Sequence, residues 1–249
     1  MEPLSRKQQK LIQSLKQKKY RDQLDLFLFE GKKLLDEAIG SQVEISTLVV
    51  EDSYELEFDN GLSIRTVDSV AMKKLSNLKQ APGILGVAKQ LKFEPITPKR
   101  QDVMLMLDQI SDPGNLGTII RNAVAFGVTH IICSENTVDC YNSKTVQASM
   151  GALFKTNMLY TDLSEWIKKY STDVAVYPAD LSGESIYGSD WTYPAVILLG
   201  SESHGIEPAL LKLSNRAIKI PIHSNIESLN VSSASAVLLA EFRRRLNNG

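Results

Sequence analysis

An uninterrupted apolar run, Val-Met-Leu-Met-Leu at residues 103–107, is the feature that most restricts how this chain can fold. A continuous apolar segment of strand length predicts a strand that is buried on both faces. Strand and helix patterns alternate after it, which favours a mostly parallel α/β sheet with helices on both faces. The further strand candidates are residues 128–133, 157–160, 173–177, 195–199 and 217–220, and the helix candidates are residues 118–126, 143–150, 161–170, 206–213 and 231–246.

The chain before this sheet has shorter elements and predicts a second, smaller α/β domain. Ser5 and Gln8 have capping-box spacing and begin a helix predicted over residues 5–20. Two prolines without apolar periodicity mark a linker near residue 95. The predicted boundaries are residues 1–94 for the N-terminal domain, 95–101 for the linker and 102–249 for the C-terminal domain. The other N-terminal candidates are strands at residues 26–29, 43–50 and 83–89 and helices at 31–39 and 71–78.

Charge is distributed unevenly along the chain. Lys and Arg number 28 and Asp and Glu number 29, and this balance, taken whole, argues against a nucleic-acid partner. Residues 1–21, however, hold seven basic residues and one acid. Such a segment is either a solvated surface helix or a cationic surface that binds phosphates electrostatically. The RNA-binding candidates in this basic head are Arg6, Lys7, Lys10, Lys18, Lys19 and Arg21, and Lys16 lies among them.

Cysteine content and hydropathy bear on location. Two cysteines in 249 residues exclude a disulfide scaffold and favour a reducing compartment. The sequence shows no apolar run of signal-peptide length and no approach to the roughly 20 apolar residues of a membrane span. We therefore expect a cytoplasmic protein without a membrane partner. His130, Cys133 and Cys140 lack zinc-ligand spacing, so no metal is expected.

Three polar or glycine-containing segments follow or border predicted buried strands, where α/β sheets bind ligands. In residues 108–122, an Asp-Pro-Gly turn leads into a helix that carries Arg121, and such a helix start can bind an anion. Residues 199–205 place Glu202 between two glycines, and residues 220–233 are rich in Asn and Ser. Taken singly, each segment is more often a plain turn or helix cap. None has the spacing of a P-loop, of Gly-x-Gly-x-x-Gly or of a hydrolase nucleophile elbow.

Together and in this order, the three segments resemble the signature motifs of the SpoU (TrmH-like) branch of the SPOUT RNA methyltransferases. The first reads Asn-x-Gly-x-x-x-Arg over residues 115–121, and the second reads Gly-x-Glu-x-x-Gly over residues 200–205. The third is Ile-Pro at 220–221 followed by Glu-Ser-Leu-Asn-Val-Ser at 227–232. Residues 21–31, which end in Phe-Leu-Phe-Glu-Gly, resemble the small RNA-binding domain that precedes the catalytic domain in many members.

The resemblance implies an enzyme that uses S-adenosylmethionine to methylate a ribose 2′-hydroxyl in structured RNA. It also implies a C-terminal trefoil knot and a homodimer formed through the C-terminal domain, and DNA is not an expected partner. By motif position, the catalytic residues are Arg121, Asn115, Glu202, Ser228 and Asn230. The cofactor-binding residues implied in the same way are Leu199, Gly200, Ile220, Ser228 and Leu229.

The implied chemistry suits these residue types. Because the cofactor carries the reactive methyl group, the protein must position the hydroxyl and stabilise the developing oxyanion. An arginine keeps its proton in proteins, so Arg121 is predicted to act as a cationic hydrogen-bond donor and not as a base. The hydroxyl proton would leave to a substrate phosphate or to water.

The sequence departs from the family pattern at several positions outside these assignments. His223-Ser-Asn225 stands where many members have a glycine-rich bend, and Asn225 tolerates a positive φ best among the replacements. Asn215 stands where an aspartate is usual, and Ser203 where a glycine is common. These departures raise the question of whether the third motif keeps its conformation and its cofactor affinity.

The sequence leaves alternatives open for both the substrate and the function. Ribosomal RNA of the 23S type is favoured over tRNA by analogy with members that have a separate N-terminal domain. A catalytically weak RNA-binding or ribosome-assembly protein on the same fold stays open because of the altered bend. A nucleotide- or phosphate-binding α/β enzyme also stays open, since the turn before Arg121 would support it.

Overall fold

The computed structural model describes residues 2–55, 61–188 and 190–248, and the chain divides into two compact units. The first unit comprises the chain up to Lys92 together with Asp139–Phe154, and the second comprises Phe93–Val138 together with the chain from Lys155 onward. Residues 139–154, which we assigned to the C-terminal domain, therefore pack with the N-terminal unit. The predicted linker, residues 95–101, is not simply a connection between domains, because its residue Ile96 is buried in the core of the second unit.

The elements follow in chain order. They are β1 (Glu2–Pro3), α1 (Arg6–Ser14), α2 (Lys18–Leu24), β2 (Leu26–Glu30), α3 (Lys32–Gly40), β3 (Ile45–Glu51), β4 (Ile64–Val67), α4 (Ser69–Leu75), β5 (Ile84–Lys89), β6 (Val103–Leu107), α5 (Pro113–Ala125), β7 (His130–Cys133), α6 (Ser143–Ser149), a 3₁₀ helix (Ala152–Lys155), β8 (Asn157–Tyr160), α7 (Leu163–Tyr170), β9 (Ala175–Ser185), β10 (Ala195–Leu199), α8 (Pro208–Leu213), β11 (Ile218–Lys219) and α9 (Val231–Asn248).

The first unit contains a five-stranded mixed sheet in the order β1-β4-β3-β5-β2, in which β5 runs antiparallel to β2 and β3. The capping box at Ser5 and Gln8 is present as predicted. The single helix predicted over residues 5–20 is wrong, because α1 ends at Ser14 and α2 begins at Lys18. At the break, Leu15 is buried in the core and the Lys16 ammonium donates to the carbonyls of Lys74 and Ser76 at the end of α4.

Arg21 is not a surface cation, which corrects its assignment as an RNA-binding residue. The residue is 4% exposed, and its Nε and Nη2 donate to the Asp139 carboxylate at 3.1 and 2.5 Å. Its Nη1 donates to the carbonyls of Leu15 and Lys16. A guanidinium with these partners is satisfied inside the protein and cannot also meet a phosphate. The pair instead joins the N-terminal helices to residues 139–154 within the first unit.

The second unit contains a six-stranded sheet in the order β11-β9-β10-β6-β7-β8, and every recorded strand pair in it is parallel. One face packs against α7 and α8, where Met104 and Leu198 meet Trp166 and Leu210. On the other face, α5 packs along α9, and Phe242 of α9 lies beside the Tyr177 ring. The predicted parallel α/β sheet with helices on both faces is confirmed.

Local sequence determines how α5 begins and ends. The Asp112 side chain caps its N-terminus, Pro113 occupies the first turn, and Gly127 follows its end with a φ of +77°. None of the helices in the described part of the chain has the length and apolar content that a membrane crossing needs.

Candidate active site

The three motif segments meet at one edge of the second sheet. Strands β6 and β10 are neighbours that end in register at Leu107 and Leu199, so Asp108 and Gly200 leave the sheet side by side. The third segment follows β11, whose neighbour β9 pairs with β10. This is the carboxyl edge of a parallel sheet, where ligands bind in such folds.

The loop after β10 is held closed at both ends. Ser201 and Gly205 exchange backbone hydrogen bonds at 3.1 and 2.9 Å. A side chain at Gly200 would collide with the backbone of Gly205, so the close approach requires a glycine there. The buried Asp108 carboxylate accepts from the Glu207 N–H at 2.9 Å and fixes the far end of the loop. Glu202 is thereby presented on a short, braced loop.

Asn115, Glu202 and Asn230 form a hydrogen-bonded cluster, hereafter the polar cluster. The Asn115 amide donates to the Glu202 carboxylate. The Asn230 amide donates to Asn115 Oδ1 at 3.2 Å and lies 3.5 Å from Glu202 Oε1. Asn115 and Asn230 are 115 residues apart in the chain, and the fold brings them together with Glu202.

Asn230 holds the cluster and also begins α9. Its Oδ1 accepts from the N–H groups of Ser232 and Ser233 at 2.9 and 3.3 Å, as an N-cap residue does. On α5, Asn122 donates to the Ser232 carbonyl and to Ser235 Oγ, which ties the two helices together behind the cluster. The position of Asn230 is therefore determined by helix capping and by α5–α9 packing.

An Asn230→Ala variant is expected to lose about 1 kcal/mol of stability from the missing cap and, separately, most of the methylation activity that the family resemblance implies. Asn142→Ala is the matched control, because Asn142 caps α6 through the Lys144 N–H at 2.9 Å. Denaturant unfolding and initial methylation rates measure the two effects. Equal activity in the two variants would contradict a role for Asn230 beyond capping.

Arg121 and Ser228 do not join the polar cluster. Arg121 lies on the exposed side of α5, and no hydrogen bond or ion pair is recorded for its side chain within the described residues. Because a helix turns about 100° per residue, the side chain of Arg121 projects from α5 in a direction about 120° away from that of Asn115. Ser228 is exposed and lines the neighbouring cavity instead.

A cavity of about 270 Å³ opens beside the cluster. Its size is close to the lower end of small-molecule sites, about 300–1,000 Å³. Glu202 lines this cavity and also belongs to the polar cluster. The cavity walls include all five predicted cofactor-binding residues, Leu199, Gly200, Ile220, Ser228 and Leu229.

Several further wall residues were not predicted from the sequence: Asp180, Leu181, Ile206, Lys219 and Leu238. Asp180 lies three residues after the predicted strand end at Tyr177, and a polar residue just beyond a strand is the signal that could have found it. In the structure it lies within β9, which continues to Ser185.

The departures from the family pattern leave the local backbone intact. His223, Ser224 and Asn225 are exposed and none has a positive φ, so this bend does not need glycine. Asn215 Oδ1 accepts from the Val176 N–H at 2.7 Å, which an aspartate oxygen would do equally well. The Ser203 hydroxyl lies 2.8 Å from His204 Nδ1, away from the polar cluster's hydrogen bonds.

The remaining basic-head residues differ in their surroundings. Arg6, Lys7 and Lys10 are exposed and fall within about 100° of one another on α1, opposite the buried Ile12. Lys18 is paired with Asp22 at 2.6 Å, and Lys19 lies over the Tyr20 ring at 6.0 Å. The exposed face of α1 is thus the most available cationic surface in this segment.

The two cysteines are structural. Cys133 and Cys140 are buried, and burial raises the pKa of the Cys133 thiol well above its usual range. A thiol of this kind is a poor nucleophile and metal ligand. Within residues 2–55, 61–188 and 190–248, no group of three or more His, Cys, Asp or Glu side chains is placed to hold a metal ion.

Two family models match the chain. The model of the SpoU rRNA Methylase family matches residues 102–240, which is more than half of the 249 residues. The model of the MRM3-like substrate binding domain matches residues 7–86. The first match contains all three motif segments, and the second contains most of the described first unit before residue 92.

Similar proteins are known from sequence and structure. RlmP of Bacillus subtilis, a 23S rRNA (guanosine-2′-O)-methyltransferase, is 27% identical over 91% of this chain and 92% of its own length. Human mitochondrial rRNA methyltransferase 3 is 26% identical over 98% of this chain and 73% of its own. The crystal structure of an S-adenosylmethionine-bound rRNA methyltransferase from Sinorhizobium meliloti superposes with a TM-score of 0.87 at 29% identity, covering 99% of this chain and 97% of that one.

The family match, the agreement of folds over nearly the whole chain and the meeting of the three motifs at one sheet edge lead to the same assignment. This protein belongs to the SpoU rRNA methylase family.

Proposed function

We propose that this protein transfers a methyl group from S-adenosylmethionine to a ribose 2′-hydroxyl of ribosomal RNA of the 23S type. The observation that carries the proposal is the polar cluster of Asn115, Glu202 and Asn230, whose Glu202 also lines a cavity that contains residues of the second and third motifs. The names of relatives such as RlmP favour ribosomal RNA over tRNA.

The cavity suits this cofactor chemically. Leu199, Ile220 and Leu229 offer apolar walls for a flat base, whereas charged side chains and the backbone of the Gly200 loop offer polar groups for the remainder. S-adenosylmethionine combines a flat adenine with a charged amino-acid portion, and when bound it supplies an activated methyl group. We infer that Leu199, Gly200, Ile220, Ser228 and Leu229 hold it.

The chain's own residues then have distinct tasks. Glu202, held by two amide donors, borders both the cavity and the polar cluster, so it can orient a ribose hydroxyl toward the methyl group. Arg121 lies outside the polar cluster, and its role follows from the family resemblance: it supplies a positive charge that stabilises the oxyanion as the hydroxyl loses its proton to a substrate phosphate or to water. Ser228 lines the cavity and orients the cofactor from the third motif.

A transfer assay tests the proposal. Purified protein, tritiated S-adenosylmethionine and ribosomal RNA from a strain that lacks the gene should give label at one 2′-hydroxyl, mapped by resistance to alkaline cleavage. Ribosomal RNA from the parent strain should accept little label. Label in tRNA alone would establish the tRNA alternative. Calorimetric cofactor binding without transfer to either RNA would establish a catalytically weak binding protein.

The exposed cationic face of α1 is proposed to contact RNA phosphates. A variant with Arg6, Lys7 and Lys10 all changed to Gln is expected to bind RNA at least 10-fold more weakly at low salt. The slope of log affinity against log salt should fall by about 2–3, because each phosphate contact contributes about 0.7–0.9. Cofactor affinity should stay the same.

Filter binding over a salt series measures this prediction. The matched control changes three exposed lysines of the second unit, Lys99, Lys168 and Lys212, to Gln. If both triple variants lost RNA affinity equally, the α1 face would have no special role.

Three further expectations remain proposals, two from the family resemblance and one from cysteine content and hydropathy. We propose a C-terminal trefoil knot, a homodimer formed through the C-terminal domain and a cytoplasmic location. Light scattering on the purified protein tests the homodimer, and a mass of one chain at micromolar concentration would exclude it.

A further inference from the structure

The cavity beside the polar cluster is lined by three charged side chains, Asp180, Glu202 and Lys219. Glu202 is already engaged by the amides of Asn115 and Asn230. The lining therefore carries one more acid than base. S-adenosylmethionine carries one more positive than negative charge, since it has a sulfonium, an ammonium and one carboxylate. The excess charges of cavity and cofactor are opposite in sign.

Asp180 lies where strand β9 changes partners. β9 pairs with β10 as far as Pro178 and with β11 from Glu184 onward. Residues 179–183 lie between these two ladders, and Ala179, Asp180 and Leu181 form a wall of the cavity. A crevice where a strand separates from its neighbour is a common ligand position in parallel sheets.

The Asp180 carboxylate is oriented by its own turn. Oδ1 accepts from the Ser182 N–H at 2.8 Å and from the Ser182 hydroxyl at 2.5 Å. Within the described residues, no partner is recorded for Oδ2 and no cation forms an ion pair with Asp180. One carboxylate oxygen is thus fixed by the protein, and the other is available to a ligand.

We propose that Asp180 recognises the cationic part of S-adenosylmethionine through Oδ2. This inference rests on the proposed function, because it takes the cavity as the cofactor site. A charge-assisted hydrogen bond from the ammonium, or close approach of the sulfonium, would balance the excess acid in the cavity. Asp180 would then select the charged cofactor over neutral adenosine compounds.

Asp180→Asn tests the proposal because it keeps the side-chain shape and removes the charge. Calorimetry with S-adenosylmethionine, S-adenosylhomocysteine and adenosine measures binding without turnover. S-adenosylmethionine affinity is expected to fall about 10-fold or more, the range for a hydrogen bond to a charged group. Equal loss for S-adenosylhomocysteine places the ammonium at Asp180, whereas loss confined to S-adenosylmethionine places the sulfonium there.

The control is Asp173→Asn, an exposed carboxylate just before β9 and outside the cavity, which should leave all three affinities unchanged. Unchanged S-adenosylmethionine affinity in Asp180→Asn, or equal loss for adenosine, would overturn the proposal while the proposed function stood. Failure of the wild type to bind S-adenosylmethionine would overturn the proposed function itself. Thermal unfolding without ligand identifies any loss that comes from misfolding.

Discussion

An Arg121→Ala variant is expected to bind S-adenosylmethionine like the wild type and to methylate ribosomal RNA about 10²–10³-fold more slowly. A ribose hydroxyl is a poor nucleophile until its proton leaves, and the negative charge that develops needs a cationic donor. Arg121 is exposed and outside the cavity proposed to hold the cofactor, so its loss should affect the chemical step and not cofactor binding. Single-turnover rates at saturating RNA, together with calorimetry, measure the two quantities.

Two companion variants sharpen this prediction. Arg121→Lys keeps the charge and removes the planar fork of donors, so it should restore only part of the rate. Arg243→Ala removes another exposed arginine of the same unit and should leave the rate unchanged. Full turnover by Arg121→Lys would argue against a role for fork geometry, and full turnover by Arg121→Ala would remove Arg121 from the catalytic residues.

An Arg21→Met variant is expected to destabilise the protein by about 3–5 kcal/mol, because it leaves Asp139 as a buried charge without its partner. The Arg21 and Asp139 side chains are 5% and 12% exposed. If Arg21 were a phosphate ligand, the same change would weaken RNA binding and leave stability unaltered. Chemical denaturation followed by circular dichroism distinguishes the two outcomes.

Removing both charges tests the explanation. Arg21→Met combined with Asp139→Leu should recover much of the lost stability, since a buried ion pair is often replaceable by apolar side chains of similar size. Lys18→Met breaks the exposed pair with Asp22 and should cost at most about 1 kcal/mol. Equal losses for Lys18→Met and Arg21→Met would mean that the pair with Asp139 is not effectively buried.

Elements specified by local rules were predictable from the sequence. The Ser5–Gln8 capping box, the Gly127 stop and the strand Val103–Leu107 each depend on residues within a few positions of one another. The strand Asn157–Tyr160 was likewise predicted with its observed bounds. Motif order identified five of the cavity-lining residues, Leu199, Gly200, Ile220, Ser228 and Leu229, before any distance was known.

Elements specified by distant contacts were not predictable in this way. The N-terminal helix breaks between Ser14 and Lys18, where Lys16 contacts carbonyls about 60 residues away, and pairing with β11 extends β9 past Pro178 to Ser185. Arg21 has the composition of a surface cation but meets Asp139, which is 118 residues away. Neither local propensity nor charge pattern carries information about such partners.

The sequence by itself determined the α/β class through its hydrophobic period, and it determined the family and part of the cavity lining through the order of three motifs. Tertiary structure alone decided that Arg21 is buried, that residues 139–154 belong with the N-terminal unit and that Asp180 faces the cavity. The physical reason is that burial and ion pairing depend on which segments fold against one another, and only the assembled sheets specify those neighbours.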